Sequence, residues 1–167
     1  MHSIILMGPP GSGKSTVGKH LSKELGLSFI DTDRLIEDKE GRSISEIFLA
    51  DGEGGFRAIE KEIVLDVLKM EDCVIALGGG SVLDLDVQRE LSECADVVFL
   101  DVSISNAAPR VGFNKERPLL MGNPRQQWLQ LMEKRREIYE SLATRTVSTD
   151  NRKPNEVAHE IAQGVRK

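Results

Sequence analysis

Gly8-Pro9-Pro10-Gly11-Ser12-Gly13-Lys14-Ser15-Thr16 is the stretch that decides the fold. It fills every position of the pattern G-x-x-x-x-G-K-[ST], with an apolar run, Ile4 to Met7, before it and a helical pattern after it. Each residue type has a physical reason to be there. Glycines let the backbone wrap an anion and turn successive N–H groups inward. The helix that begins at the loop aims its positive end at the same anion. Lys14 brings a mobile cation for the β- and γ-phosphates, and the Ser15 hydroxyl is a ligand for Mg²⁺. Gly11, Ser12, Gly13, Lys14, Ser15 and Thr16 are therefore expected to hold the phosphates of a nucleotide. The motif leaves open what happens to those phosphates, because motors, switches and small-molecule kinases all carry it.

Outward from the loop, short apolar runs alternate with longer helical patterns. Ile4 to Met7, Leu27 to Ile30, Cys73 to Leu77, Val97 to Leu100 and Thr146 to Ser148 read as strands. The first four are nearly continuous in apolar residues, which predicts parallel strands covered on both faces. Val17, Leu21 and Leu25 form one helical stripe, ended by Gly26. Ser43-Ile-Ser-Glu46 has the form of a capping box. Phe56, Ile59, Ile63, Val64, Val67 and Leu68 make a second stripe, and Trp128, Leu131, Met132, Ile138, Tyr139 and Leu142 a third. This alternation predicts an α/β, three-layer sandwich with right-handed crossovers, in one domain over residues 1–167.

Composition narrows the function. The 167 residues carry a net charge of −5, with 29% charged and 40% hydrophobic residues, so a soluble folded chain is expected. Acidic and basic residues are interspersed, and Lys134-Arg135-Arg136 is the longest basic run, which argues against nucleic acid as a partner. Cys73 and Cys94 lack metal-site spacing and read as packed free thiols. His2, His20 and His159 read as isolated and solvent-facing. No signal peptide or membrane-length apolar run is present, so the cytoplasm is the expected location.

The acceptor side is written in scattered residues. Asp31-Thr32-Asp33 falls at the carboxyl end of the second strand, the edge where ligands bind in an open parallel sheet. In extended chain the two carboxylates would point the same way, one toward a metal-bound water and the other toward an acceptor hydroxyl. The alternative is a helix N-cap. Gly78-Gly79-Gly80 follows the third strand and would let another group touch backbone, or else form a flexible turn. Arg135, four residues after Leu131 and four before Tyr139, puts a guanidinium on an apolar face. Such a charge needs an anion, either a ligand or an intramolecular partner. Arg57 starts a helix just behind Asp51-Gly52-Glu53-Gly54-Gly55-Phe56, and two convergent arginines would clamp a carboxylate. A long irregular stretch, about residues 112–124, reads as a mobile lid carrying Arg117 toward the transferring phosphoryl group, or as a plain surface loop. Val97-Val98-Phe99-Leu100-Asp101 looks like a metal-binding strand, but Asp101 is equally placed for an N-cap and the Asp31/Asp33 pair is preferred.

Taken together, these residues resemble the shikimate kinase family, a branch of the nucleoside-monophosphate-kinase-like P-loop proteins. The resemblance rests on Gly-Ser-Gly-Lys-Ser-Thr at 11–16, Asp-Thr-Asp at 31–33 and Asp-Gly-Glu-x-x-Phe-Arg at 51–57. It extends through Gly-Gly-Gly at 78–80, Arg-Pro-Leu-Leu at 117–120 and Arg135-x-x-x-Tyr139. It implies a five-stranded parallel sheet and transfer of the γ-phosphate of MgATP to the 3-hydroxyl of shikimate, a step toward chorismate, in a monomer. It further implies that Asp33, Arg57, Gly79, Gly80 and Arg135 hold shikimate, while Lys14 and Arg117 stabilise the moving group. Ser15 and Asp31 would organise Mg²⁺, and Arg110, Arg152 and Pro154 would flank adenine. Pro109 and Phe113 depart from many relatives and bear on lid closure and nucleotide affinity. The competing readings are a kinase for gluconate or a nucleotide, and a non-catalytic P-loop module.

Overall fold

The computed structural model describes residues 2–111 and 123–165. Five strands, β1 (Ile4–Met7), β2 (Ser28–Asp31), β3 (Cys73–Ala76), β4 (Asp96–Asp101) and β5 (Arg145–Ser148), form one sheet in the order β2-β3-β1-β4-β5. Every pairing is parallel, so all the carboxyl ends share one edge. The expected strands are present, with ends shifted by one residue in all but the first.

Alternation along β1 builds the layers. Ile4 and Leu6 face α1 (Lys14–Leu25) and α7 (Pro154–Gln163), joining Val17, Leu21, Val157 and Ile161 in one core. Ile5 and Met7 point to the opposite face, where Val64 and Val67 of α3 (Ile44–Val67) and Val87 and Leu91 of α4 (Leu85–Ser92) pack. Ala107 of α5 (Ile104–Val111) and Trp128, Met132 and Tyr139 of α6 (Pro124–Leu142) complete that second core. The three-layer expectation holds. The expectation of full cover on both faces fails for β2, an edge strand whose residues are exposed or half-buried.

A third, smaller core of Ile36, Ile47, Phe56 and Ile63 joins α2 (Thr32–Glu40) to α3. Ser43 caps α3, its Oγ accepting from the Glu46 N–H at 3.1 Å. As expected, Arg57 lies near the start of a second helix, which meets the first across a kink within α3. The kink falls at Gly52 (φ 73°, ψ 179°), a backbone conformation that favours glycine.

Two of the three histidines are paired rather than isolated. His2 Nε2 meets the buried Asp96 carboxylate at 2.5 Å, and His159 Nδ1 meets Glu24 at 2.7 Å. Cys73 is buried and Cys94 half-buried, with the Cys94 thiol pKa pushed up by burial and by the neighbouring Glu90 and Glu93. Among the described residues no helix is long and apolar enough to cross a membrane.

Candidate active site

The phosphate loop joins β1 to α1 with Gly11 (φ 83°) and Gly13 (φ 92°) in the left-handed region, where a β-carbon is costly. Gly13 is also the N-cap of α1, and the first turn of that helix holds no acidic side chain. Its dipole is thus left for an incoming anion. Lys14 Nζ folds back to donate to the carbonyls of Gly8 (2.8 Å) and Pro9 (3.1 Å). The cation already spans the loop mouth where phosphates would sit.

Asp31 is the N-cap of α2 and also reaches the phosphate loop. Its Oδ1 caps α2 by accepting from the N–H groups of Asp33 (3.1 Å) and Arg34 (3.4 Å), while its Oδ2 accepts from the Ser15 hydroxyl at 2.5 Å. Ser15 and Asp31 therefore present two hard oxygens side by side, a donor set that suits Mg²⁺ held partly by water and phosphate. The expected parallel aim of Asp31 and Asp33 is not found, because Asp33 lies in the first turn of α2 rather than in extended chain. The helix sends Asp33 toward the Gly78-Gly79-Gly80 turn instead: a β-carbon on Gly78 would fall 2.5 Å from Asp33 Oδ1 and 3.0 Å from Glu60 Oε2.

That turn is a place of close approach rather than a flexible link. A β-carbon on Gly80 would lie 2.4 Å from Arg57 Nη2, and one on Gly79 would lie 3.2 Å from the Gly8 carbonyl and 3.3 Å from Arg135 Nη1. The turn is tied at both ends. Buried Thr32 Oγ1 donates to Ala76 O and accepts from Gly78 N, and Tyr139 Oη donates to Gly79 O. Arg135 is 4% exposed and makes no hydrogen bond or ion pair with another described residue, so the intramolecular salt bridge is absent there. A buried guanidinium in that state favours an external anion.

Arg57 is oriented by its own helix. Nη1 donates to Glu60 Oε1 at 2.7 Å, Nε stands 3.7 Å from Glu53, and the guanidinium lies 5.3 Å from the Phe56 ring centre. Glu60 is 3% exposed, and burial raises its pKa. The Arg57 guanidinium opposes that rise, Asp33 adds to it, and Arg135 opposes it from farther off. The sequence reading missed Glu60. The rule that singled out Arg135 would have found it, since Glu60 sits between Phe56 and Ile63 on the same apolar stripe.

On the other flank, Arg110 Nη1 donates to Gly11 O (3.1 Å) and Thr149 Oγ1 (3.0 Å), and its Nη2 to Thr149 O (2.9 Å). Buried Thr149, also missed, thus ties Arg110 to the end of β5. Arg152 donates to Ser148 O and Glu160, and Pro154 opens α7. A cavity of about 1020 Å³ is lined by Gly11 to Thr16, Asp31, Asp33, Arg110, Arg152 and Pro154. Arg57, Gly79, Gly80 and Arg135 are not part of that lining. They adjoin it through Asp33, Gly78 and Glu60.

Asp101 is not an N-cap. Its carboxylate takes both Nη atoms of Arg136 at 3.1 Å, and Ser103 Oγ accepts from Asn106 at the start of α5. Arg117 and, apart from its last two residues, the stretch expected as a lid over about 112–124 lie outside the described residues. At the far end of that stretch, Asn123 and Pro124 belong to α6 as cap and first residue.

Comparison with known proteins points to one family. The family model described as "Shikimate kinase" matches residues 10–166. The shikimate kinase of Streptomyces coelicolor is 48% identical over 97% of this chain and 94% of its own length. A solved structure of shikimate kinase from Acinetobacter baumannii in complex with shikimate superposes with a TM-score of 0.95. It is 35% identical and covers 98% of this chain and 92% of its own. A gluconokinase from Sinorhizobium meliloti is a weaker likeness, at TM-score 0.57 and 26% identity over 98% of this chain and 90% of its own. With a family model over nearly its whole length and a relative this similar end to end, the chain belongs to the shikimate kinase family of ATP-dependent phosphotransferases.

Proposed function

We propose that this chain transfers the γ-phosphoryl group of MgATP to the 3-hydroxyl of shikimate, giving shikimate 3-phosphate and ADP, and that its residues divide the work by side of the cavity. The observation that carries this reading is the position of Asp33. It lines the nucleotide cavity together with Lys14 and also abuts the Gly78 turn beside Glu60 and Arg57. An acceptor hydroxyl bound to Asp33 therefore faces the phosphate loop.

On the donor side, the backbone of Gly11, Ser12, Gly13, Lys14, Ser15 and Thr16 cradles the phosphates. Arg110, Arg152 and Pro154 border the base. Lys14 exchanges its contacts with the Gly8 and Pro9 carbonyls for the β- and γ-phosphates. Ser15 and Asp31 hold Mg²⁺, which when bound neutralises phosphate charge. On the acceptor side, Arg57 and Arg135 pair with the shikimate carboxylate, and the free hydrogen-bonding capacity of buried Arg135 is met by that anion. Gly79 and Gly80 keep the turn thin enough for this approach.

Asp33 accepts a hydrogen bond from the 3-hydroxyl and aims its oxygen at phosphorus. The new O–P bond forms as the bond to the bridging oxygen of ADP breaks, with the hydroxyl proton leaving along the Asp33 hydrogen bond. A loose transition state makes positioning and charge the main requirements. Arg117, carried by a lid at about 112–124, neutralises the moving group. The chain works as a single-domain monomer in the cytoplasm.

Asp33→Asn tests this division. Transfer should fall by about a hundredfold or more while MgADP affinity stays within about threefold. Near-normal turnover in Asp33→Asn contradicts the role given to that carboxylate.

A further inference from the structure

We propose that Trp128 is a positioning residue that, together with Tyr139, fixes the phosphate loop and the acceptor turn at one spacing through helix α6. The buried residues of α6 are Trp128, Met132, Arg135 and Tyr139, a single stripe at helical spacing. Each of its two polar ends bonds to a loop of the site. Trp128 Nε1 donates to Pro10 O at 2.8 Å, inside the phosphate loop, and Tyr139 Oη donates to Gly79 O at 2.5 Å, inside the acceptor turn.

An indole has one donor and no acceptor, so a buried indole spends its only hydrogen bond on one carbonyl. Here that carbonyl belongs to the loop that carries the donor phosphates. The two loops also touch directly, since a β-carbon on Gly79 would lie 3.2 Å from Gly8 O and 3.6 Å from Pro10 Cδ. The rod between the two bonds is itself seated on the sheet. Tyr139 stacks on Phe99 of β4 with ring centres 5.0 Å apart, and Arg136 grips Asp101 at the end of the same strand. Trp128 and Tyr139 are separated by about 16 Å along the axis, at about 1.5 Å per residue. A shift of α6 thus moves both loops together, and loss of either bond lets one loop drift against the other.

The role is distinct from binding. Among the described residues, neither side chain lines the nucleotide cavity, so each substrate alone should bind as before. What changes is the distance between bound donor and bound acceptor, to which phosphoryl transfer is steeply sensitive. The proposal rests on the reading that Lys14 marks the donor side and Asp33 the acceptor side.

The test compares wild type, Trp128→Phe and Tyr139→Phe in single-turnover transfer from MgATP to shikimate. Dissociation constants for MgADP alone and shikimate alone are measured by calorimetry. Both variants should slow transfer by about five- to thirtyfold while each dissociation constant moves less than about threefold. The chain has a single tryptophan, so biosynthetic replacement by benzothienylalanine, which swaps the N–H for sulfur at nearly constant shape, gives a second version without a packing change. It should show the same split. The proposal is overturned if transfer by the benzothienyl protein stays within about twofold of wild type, or if its loss is matched by an equal loss of MgADP affinity. Absence of transfer by wild type overturns both this proposal and the function on which it rests.

Discussion

The guanidinium of Arg57 lies against the backbone of Gly80, so close that a β-carbon there would fall 2.4 to 2.7 Å from its terminal atoms. Gly80 has φ −95°, a value open to any residue, so contact alone excludes a side chain. Gly80→Ala should therefore fold and bind MgADP normally but push Arg57 off the position in which it would meet the proposed substrate carboxylate. We expect the shikimate KM to rise by about tenfold, the value of one lost charge-assisted contact. Unchanged KM for shikimate would show that Arg57 does not need this backbone.

Glu60 holds Arg57 from the other side at 2.7 Å, and burial raises its pKa above the ordinary carboxylate range. The folded state then binds the proton more tightly than the unfolded state. Stability from this group is present at acid pH and is lost as pH rises through the folded pKa. Glu60→Gln keeps the shape and removes the titration. Urea melts of both proteins from acid to neutral pH should show wild type losing ground to Glu60→Gln as pH rises above the usual carboxylate pKa. The opposite slope would mean that Arg57 outweighs burial.

Arg135 is buried and forms no ion pair with another described residue, the Glu60 carboxylate acting on it only electrostatically. Arg135→Met should raise stability by about 1 kcal/mol or more while shikimate binding is lost. Thermal melts with and without shikimate check both halves. A destabilised Arg135→Met would reveal a structural partner instead.

Trp128, the only tryptophan, bonds the phosphate loop through Pro10. Its emission should change on titration with MgADP and saturate with the calorimetric dissociation constant. Constant emission through saturation would mean that nucleotide in the loop is not sensed by the indole through Pro10.

What was legible in the sequence was what neighbours along the chain determine. The phosphate loop is contiguous, and β1, β3 and β4 are apolar on both faces because helices cover both. The cover of β2 was misjudged because an apolar run does not say which strand lies at an edge. Asp33 was singled out at the strand edge, but its direction was not legible, because the helix starting at Thr32 turns it away from Asp31. Partners chosen across the fold stayed hidden: Arg136 for Asp101, Asp96 for His2, and Pro10 for Trp128. Trp128 was rightly read as core, yet burial alone could not tell which carbonyl its N–H would reach.

The most direct test of the account is ADP release by the purified chain with MgATP and, in parallel, shikimate, gluconate or AMP. The account predicts rapid release with shikimate and only background release with gluconate or AMP. No shikimate-dependent ADP, or release driven equally by gluconate, would contradict it.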